Sequence, residues 1–261
     1  MNRSQRFNNK IVIVTGAAQG IGRGVALRIA SEGGTVVLAD RSNLINDVLL
    51  EIKTLGALAS CIQADLETYA GAESVIAHAI SQFGRVDVLI NNVGGAIWMK
   101  PFQEFSEQEI IAEVNRSLFP TLWCCRAVLP EMIKNQQGTI VNISSIATRG
   151  IHRIPYSASK GGVNALTSSL AFEHAQDGIR VNAVATGGTE APPRKIPRNA
   201  SPLSNTEKQW MQQVVDQTID QTFMGRYGSI EEQVNAITFL ASDESSYMTG
   251  SVIPVGGGDQ G

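Results

Sequence analysis

The feature that most constrains the fold is a regular alternation of short β-branched runs with longer segments of helical period. Most runs are almost wholly apolar, which is typical of strands buried on both faces of a parallel sheet. The alternation predicts an α/β fold with a doubly wound parallel sheet of about seven strands. The runs are Ile11–Thr15, Thr35–Ala39, Ala59–Gln63, Val86–Asn91, Thr139–Ser144, Ile179–Val184 and Ser251–Val255. The helical segments include Ile21–Glu32, Gly71–Phe83, Leu118–Lys134 and Tyr156–His174.

Length and composition fit one domain spanning 1–261. A chain of 261 residues is within the range of a single α/β domain. Its 43% apolar and 17% charged residues, with 25 glycines, favour a sizeable core and many tight turns. The net charge of -3 argues against a nucleic-acid partner, which requires a basic face.

Cysteine usage and hydropathy give expectations about metals and location. Cys61, Cys124 and Cys125 form no C-x-x-C pair, so we expect buried thiols in a reducing compartment and no metal site. No apolar run approaches the roughly 20 residues that span a bilayer. The polar segment Met1–Lys10 lacks the apolar stretch of a signal peptide. We expect a cytoplasmic protein without a membrane partner.

A glycine-rich turn, TGAAQGIG at 15–22, follows the first strand and opens the first helix. Glycines there permit a tight turn, close approach of the backbone to a pyrophosphate and close helix–strand packing. The helix N-terminus offers free N–H groups and a positive dipole end to phosphates. This context favours a nucleotide site over a plain turn. The expected contacts are Gly16, Gln19, Gly20, Ile21 and Gly22.

Polar residues at three further strand ends extend this predicted nucleotide site. Asp40 can accept hydrogen bonds from ribose hydroxyls and would repel a 2′-phosphate, which favours NAD over NADP. A solvated acid is the alternative interpretation. Asp65 is placed either to bind the adenine amine or to cap the next turn. Asn92 and Gly94 lie in NNVGG at 91–95, which either borders the cofactor or is a simple turn.

A tyrosine and a lysine four residues apart share one face at the start of a predicted helix, in Y-S-A-S-K at 156–160. A phenol has a pKa of about 10, too high for a base at neutral pH. An ammonium group and an oxidised nicotinamide ring stabilise a phenolate, and roughly 4 kcal/mol would lower that pKa by about three units. We predict that Tyr156 transfers a proton and that Lys160 activates it, both beside the cofactor. A core tyrosine beside a surface lysine is the alternative.

Two serines end the fifth predicted strand, where a hydroxyl can hold the reacting oxygen near the phenol. Neighbouring strand residues point to opposite sides, so only one of Ser144 and Ser145 should face the site. Asn115 lies in a helical stretch although Asn is a poor helix former. It is predicted to bend the backbone or to hold a water that links Lys160 to solvent, unless it is simply exposed.

The segment 187–225 interrupts the alternation. Its prolines at 192, 193, 197 and 202 discourage a sheet strand, and a helix is predicted over Asn205–Gln221. The segment follows the carboxyl end of a predicted strand, where open α/β sheets bind ligands. A substrate lid is therefore favoured over a surface or subunit-contact excursion.

Together these motifs resemble the short-chain dehydrogenase/reductase family over nearly the whole chain. T-G-x-x-x-G-I-G, N-N-x-G, the strand-end serine and Y-S-A-S-K stand in the family order. The resemblance implies a single Rossmann-like domain, metal-free hydride transfer to NAD and a homotetramer. The catalytic group that it implies is Asn115, Ser145, Tyr156 and Lys160.

Three positions depart from the family pattern. Thr186-Gly187-Gly188-Thr189 stands where proline-glycine is usual beside the nicotinamide, and Thr189 is expected to contact the cofactor. The spacing from Ser145 to Tyr156 is about two residues shorter than is usual, by analogy. This leaves the choice between Ser144 and Ser145 open, with Ser145 preferred. Val255-Gly256-Gly257-Gly258 replaces an aspartate followed by two glycines.

Three segments resemble a narrower group, the bacterial diol dehydrogenases that follow benzoate dioxygenase. They are NNVGGAIW at 91–98, ATRGIHRIPY at 147–156 and GGTEAPPR at 187–194. The resemblance implies oxidation of a cyclic diol acid, 1,6-dihydroxycyclohexa-2,4-diene-1-carboxylate, to catechol, CO2 and NADH. Oxidation of the secondary alcohol gives a ketone β to the carboxylate, and loss of CO2 then restores an aromatic ring.

Basic residues cluster in the segments expected to border the pocket. They are Arg149, Arg153, Arg194, Lys195 and Arg198. The guanidinium fork suits a carboxylate, so we hypothesise that Arg149, Arg153 or Arg194 binds the substrate acid. The alternative interpretation, which fits each residue taken singly better, is a solvated charge at the surface. Trp98 is expected to wall the substrate ring, together with Ile97, Ile154 and Pro155, unless these residues are simply core.

Two other functions remain open. One is another short-chain alcohol dehydrogenase or 3-oxoacyl reductase, because the scaffold does not fix the substrate. The other is a nucleotide-binding protein without catalysis, against which the intact Ser, Tyr and Lys argue.

Overall fold

A seven-stranded sheet, in which every neighbouring pair of strands is parallel, forms the centre of the molecule. The structure is a computed structural model that describes residues 5–199 and 201–261. The strands are β1 Ile11–Thr15, β2 Thr35–Asp40, β3 Ala59–Gln63, β4 Val88–Asn91, β5 Gly138–Ser145, β6 Ile179–Thr186, β7 Thr189–Glu190, β8 Gly228–Ser229 and β9 Val252–Val255. The sheet order is β3-β2-β1-β4-β5-β6-β9, while β7 and β8 pair separately. The predicted Rossmann-like doubly wound sheet is confirmed.

Helices cover both faces of the sheet. They are α1 Gly20–Ser31, α2 Ile45–Thr54, α3 Tyr69–Phe83, α4 Glu107–Ser117, α5 Phe119–Lys134, α6 Ile154–His174, α7 Asn205–Gln221 and α8 Ile230–Ala241. The period-2 geometry of a strand sends alternate side chains to opposite layers. Val12 and Val14 of β1 pack in the core layer that contains α1 and α8, whereas Ile11 and Ile13 pack in the layer that contains α3 and α5. In the described ranges, no helix combines the length and apolar character needed to cross a bilayer.

The elements predicted from the sequence are present, with small shifts at their ends. Central strands such as β1 and β5 are buried along their whole length, whereas the edge strands β3 and β9 are mostly half-buried. A break at Leu118 separates α4 from α5. Pro120 lies in the first turn of α5, where a missing N–H costs nothing.

The predicted lid segment, 187–225, lies at the carboxyl edge of the sheet. It begins with β7, continues without regular structure through its described proline-rich part, and ends in α7. The boundaries of α7 match the sequence prediction. Ser204 and Glu207 form a reciprocal capping box that starts this helix.

The glycines that depart from the family pattern have a packing reason. A Cβ on Gly187 would lie 2.7 Å from the Cα of Gly256, and a Cβ on Gly188 would lie 2.7 Å from the ring of Tyr227. Gly187 therefore packs against the C-terminal glycine run and Gly188 against Tyr227, in both cases too closely to admit a larger residue.

Candidate active site

The turn between β1 and α1 is shaped by glycine. Gly16 and Gly20 have φ values of 64° and 61°, in the left-handed region that glycine adopts without strain. A Cβ on Gly22 would collide with the carbonyl oxygen of Gly16. Gln19, at the N-cap of α1, makes no side-chain cap bond, which leaves the first N–H groups of the helix directed at the cleft. The turn therefore has the geometry of a phosphate-binding loop.

Asn92 holds this turn against β4. Its side-chain amide donates to the carbonyl oxygens of Thr15 at 3.0 Å and Gly16 at 3.2 Å. Its backbone N–H donates to the hydroxyl of Thr15 at 2.9 Å, and that hydroxyl donates to the carbonyl of Ile90. The side chain of Asn92 is thus engaged with the protein, and its contribution to the cleft is the position of the glycine turn.

A cleft of about 440 Å³ runs along the carboxyl edge of the sheet. Asp40 lines it while accepting hydrogen bonds from the amides of Ala18 and Ser42 at 3.1 and 3.0 Å. Asp65 also lines it, and its carboxylate accepts from the amide of Glu67, which is the turn cap considered from the sequence. Most predicted cofactor residues line this cleft, namely Gly16, Gln19, Gly20, Ile21, Asp40, Asp65, Asn92, Gly94 and Thr189.

Tyr156 and Lys160 meet on the first turns of α6. The Lys160 ammonium lies 5.8 Å from the centre of the Tyr156 ring, and the lysine is only 3% exposed. The alternative of a surface lysine is therefore wrong. Lys160 donates to the carbonyl of Ile143 at 2.6 Å. Burial, with a smaller contribution from the positive charge of Arg198, lowers the pKa of Lys160 to about 7.

The serine hydroxyls at the end of β5 make different contacts. Ser144 hydrogen-bonds Asn164 and the carbonyl of Lys160, both on α6. The Ser145 hydroxyl accepts from the amide of Ala147 at 3.0 Å and makes only a long bond, 3.4 Å, to the carbonyl of Thr186. The Ser144 hydroxyl is thus hydrogen-bonded to α6, whereas the Ser145 hydroxyl can donate its hydrogen bond to a substrate oxygen.

Asn115 lies in the last turn of α4, before the break at Leu118. It is half-buried, so it is not the fully exposed asparagine that the sequence left open. A Cβ on Gly94 would lie 3.1 Å from the Lys160 ammonium and 3.7 Å from the Cα of Ser117. The end of α4, Gly94 and Lys160 therefore converge. The role of Asn115 as a link from Lys160 to solvent remains a prediction.

A family model described as short chain dehydrogenase matches residues 10–201. The chain belongs to this family. A 1,6-dihydroxycyclohexa-2,4-diene-1-carboxylate dehydrogenase of Acinetobacter baylyi is 82% identical over 261 residues, with 100% of each chain covered. A Pseudomonas putida protein of the same name is 58% identical over 258 residues, covering 99% of this chain and 95% of the relative.

A solved structure shares the fold over nearly its whole length. It is a 7α-hydroxysteroid dehydrogenase complexed with NADH and 7-oxo glycochenodeoxycholic acid. Its TM-score is 0.84 at 28% identity, with 99% of this chain and 97% of that chain covered. In that structure, the fold that it shares with this short-chain dehydrogenase holds a nicotinamide cofactor.

The three arginines predicted to bind a substrate carboxylate have different surroundings in the structure. Arg153 precedes α6, and its charge interacts with Tyr156. The Arg149 side chain is 67% exposed and lies 3.9 Å from Asp259. Arg194 lines the cleft, and its charge interacts with Arg198 and with Asp40. Of the three, Arg153 is the one whose charge interacts with Tyr156.

Trp98 is oriented by a buried carboxylate that the sequence did not reveal. Glu113 accepts hydrogen bonds from the amides of Ile97 and Trp98 at 2.7 and 3.0 Å. Burial raises the pKa of Glu113, against the effect of these two amides and of nearby Arg198. The sequence of α4 does not distinguish Glu113 from the exposed Glu107 of the same helix, so its burial could not be predicted.

The segment 187–225 is tied to the glycine turn through Gln19. The Gln19 amide oxygen accepts from the backbone N–H of Lys195 at 3.1 Å, and its amide nitrogen donates to the carbonyl of Ile196 at 3.3 Å. This tether brings Arg198 over the active site. Arg198 belongs to the basic cluster of the sequence, but its position could not be predicted, because no local pattern shows where an irregular loop returns to the core.

Proposed function

We propose that this short-chain dehydrogenase oxidises 1,6-dihydroxycyclohexa-2,4-diene-1-carboxylate to catechol with loss of CO2, using NAD. The observation that carries the proposal is the 82% identity, over both whole chains, to the Acinetobacter baylyi dehydrogenase named for that substrate. The Ser145, Tyr156 and Lys160 side chains, at the end of β5 and the start of α6, provide the acid–base groups that an alcohol oxidation needs.

The cleft fits a dinucleotide. Gly16 and Gly20 allow the backbone to approach a pyrophosphate, and the first N–H groups of α1 are free to bind it. The carboxylate of Asp40 lies where it would accept from ribose hydroxyls and repel a 2′-phosphate, which supports NAD as the cofactor. Asp65, Asn92, Gly94 and Thr189 would border the adenine and nicotinamide ends. Bound NAD supplies the hydride acceptor and a positive charge beside the phenol.

The protein's own groups handle the proton. The Tyr156 phenolate, stabilised by the Lys160 ammonium, takes the proton of the secondary hydroxyl as the hydride leaves the same carbon. Ser145 donates a hydrogen bond to that oxygen and holds it as charge develops. Asn115 would hold a water that links Lys160 to solvent.

The second half of the reaction follows from the product of the first. The new ketone is β to the carboxylate, so the C–C bond to CO2 breaks with its electron pair passing into the ring. This yields the catechol monoanion, and Tyr156 can return its proton to the oxygen held by Ser145. The tertiary alcohol carries no hydrogen on its carbon, which restricts the hydride transfer to the secondary alcohol.

Arg153 is the best placed of the three predicted carboxylate ligands. Its Nε is buried without a hydrogen-bond partner among the described residues, and Nη2 makes only a 3.5 Å contact with the hydroxyl of Thr218. Trp98 would pack against the ring, and the lid over 187–225 would exclude water. Kinetics of alanine variants at Arg149, Arg153 and Arg194 test the carboxylate assignment. In at least one variant, turnover of the diol acid should fall more than turnover of an uncharged cis-diol.

The assembly and location are further parts of the proposal. A homotetramer is the usual assembly of the family, and Phe172 and Tyr247 are fully exposed aromatic side chains that a subunit interface would cover. Light scattering of the purified protein measures the assembly directly. We also propose that the protein works in the cytoplasm, where NAD is available.

Substrate profiling tests the proposed function. Absorbance of NADH should rise when NAD and the cyclic diol acid are supplied. Reduction of a 3-oxoacyl thioester without oxidation of the diol acid would instead identify an acyl reductase. Nucleotide binding without turnover of either substrate would identify a binding protein.

A further inference from the structure

Arg198 brings a guanidinium from the lid segment into the catalytic centre. Its side chain lies against the backbone of Gly95, because a Cβ built on that glycine would collide with the guanidinium. The charge of Arg198 interacts with Tyr156 and Glu113, and it also affects Lys160. The absence of a side chain on Gly95 thus creates the space in which this guanidinium reaches the reacting groups.

The charge of Arg198 is poorly compensated. Burial lowers the pKa of Arg198, and its Nε is buried without a hydrogen-bond partner among residues 5–199 and 201–261. Glu113 is the nearby acid, but one of its oxygens is used by the amides of Ile97 and Trp98, and the other has no partner in the same ranges. A buried charge without a partner is costly, so this site favours a bound anion.

The substrate's covalent structure restricts where its acid can be recognised. The carboxylate is attached to the ring carbon next to the one that is oxidised, so it must lie close to Tyr156 during hydride transfer. Arg149 is exposed beside Asp259, and Arg194 lies near Asp40. Only guanidiniums next to Tyr156 meet the requirement, and Arg198 is one of them.

Arg198 differs from Arg153 in its surroundings. The charge of Arg153 is attracted by Asp259, Tyr156 and Tyr227. Arg198 is also attracted by Tyr156 and Glu113, but unlike Arg153 it is in addition repelled by another arginine, Arg116, and its own charge contributes to the lowered pKa of Lys160. An anion bound to Arg198 would offset that repulsion and favour the Lys160 ammonium, which an uncharged diol cannot do. The arrangement therefore distinguishes acids from neutral diols.

We propose that Arg198 is the residue that selects for an anionic substrate, binding the carboxylate of the cyclic diol acid beside Tyr156. The inference rests on the proposed function, since it uses that reaction's substrate. The guanidinium donates hydrogen bonds to the carboxylate oxygens, while Gln19 holds the loop on which it is carried. Arg153 shares the anion from the α6 side.

Two variants measure the selectivity. Arg198→Met should lower kcat/KM for the diol acid roughly 100-fold, the loss expected for charge-assisted hydrogen bonds, while the uncharged cis-1,2-dihydroxycyclohexa-3,5-diene changes less than about 3-fold. The control Lys195→Ala removes an exposed cation from the same loop and should leave both values unchanged. Equal losses for both substrates, or no loss for the acid, would overturn the proposal.

A binding measurement keeps this inference separate from the proposed function. If the wild-type protein does not oxidise the diol acid, the proposed function fails. Benzoate binding to the NADH-bound protein still tests Arg198: Arg198→Met should weaken it roughly 10-fold or more, and Arg198→Lys should restore part of the loss. Unchanged benzoate affinity in Arg198→Met overturns the inference. Thermal unfolding verifies that the variants are folded.

Discussion

The two ends of the cleft satisfy their polar groups in opposite ways. At the nucleotide end, Asp40 and Asn92 are hydrogen-bonded to backbone groups of the glycine turn and its neighbours. At the chemical end, Arg153 and Arg198 each bury an Nε without a partner in the described chain. In the first region these two side chains have protein partners before a ligand binds, whereas in the second region the two arginines leave charge for a ligand to compensate. We therefore propose that the first region serves cofactor binding and that the arginines of the second region decide substrate choice.

Removing the phenol should have the largest effect, because the chemical end depends on one proton acceptor. Tyr156→Phe should lower kcat for diol-acid oxidation by about 10³-fold or more while NAD affinity changes little. Tyr247→Phe, at a fully exposed tyrosine, is the matched control and should retain activity. Steady-state kinetics and NAD titration measure both quantities. A Tyr156→Phe variant that keeps more than a tenth of the wild-type kcat contradicts the assigned role.

Adding one methyl group should damage the nucleotide end. In Gly22→Ala the Cβ would collide with the Gly16 carbonyl and with the Asn92 amide that braces the turn. Overpacking of this kind typically costs about 1–3 kcal/mol, so NAD affinity should fall roughly 10- to 100-fold. Gly161→Ala places its methyl group in open space and should preserve NAD affinity. Equal NAD affinities for the two variants would show that the turn is not close-packed.

Asp40 should affect the choice of cofactor more than the rate of the reaction. Asp40→Ala should lower the NAD-to-NADP ratio of kcat/KM roughly 10-fold, because the carboxylate no longer repels the 2′-phosphate. Asp47→Ala, which removes an exposed acid from α2, controls for a general change in charge. The assignment of Asp40 is wrong if both variants keep the wild-type ratio.

Much of the fold and part of the candidate site can be predicted from local sequence, whereas the rest of the site depends on contacts between distant segments. The apolar runs predict the strands β1 and β5, and the four-residue spacing predicts that Tyr156 and Lys160 share a helix face. Both predictions succeed because they depend only on neighbours along the chain. The positions of Arg198 and Glu113 cannot be predicted in this way, since they depend on how a proline-rich loop and α4 meet across the cleft. Asn92 was predicted at the cofactor, and its actual contacts with the glycine turn depend on the pairing of β1 with β4.

The smallest effect concerns the stability of the cofactor-free protein. The pKa of Lys160 is about 7 in the folded protein, below the ordinary lysine value, so between these two values the unfolded chain binds more protons. The free energy of unfolding of the wild type should therefore rise with pH above 7, by about 1 kcal/mol or more relative to Lys160→Met. Urea unfolding at pH 7 and pH 9 measures the difference. Parallel pH dependences would contradict the lowered pKa of Lys160 in the folded protein.

The most direct test of the central claim is the stoichiometry of turnover by the wild-type protein. With NAD and the cyclic diol acid, the proposed reaction predicts equimolar NADH, CO2 and catechol, followed by absorbance, gas analysis and chromatography of the same sample. NADH should form at the same rate as catechol, because decarboxylation follows the hydride step. Absence of NADH, or NADH without equimolar catechol and CO2, would contradict the proposed function.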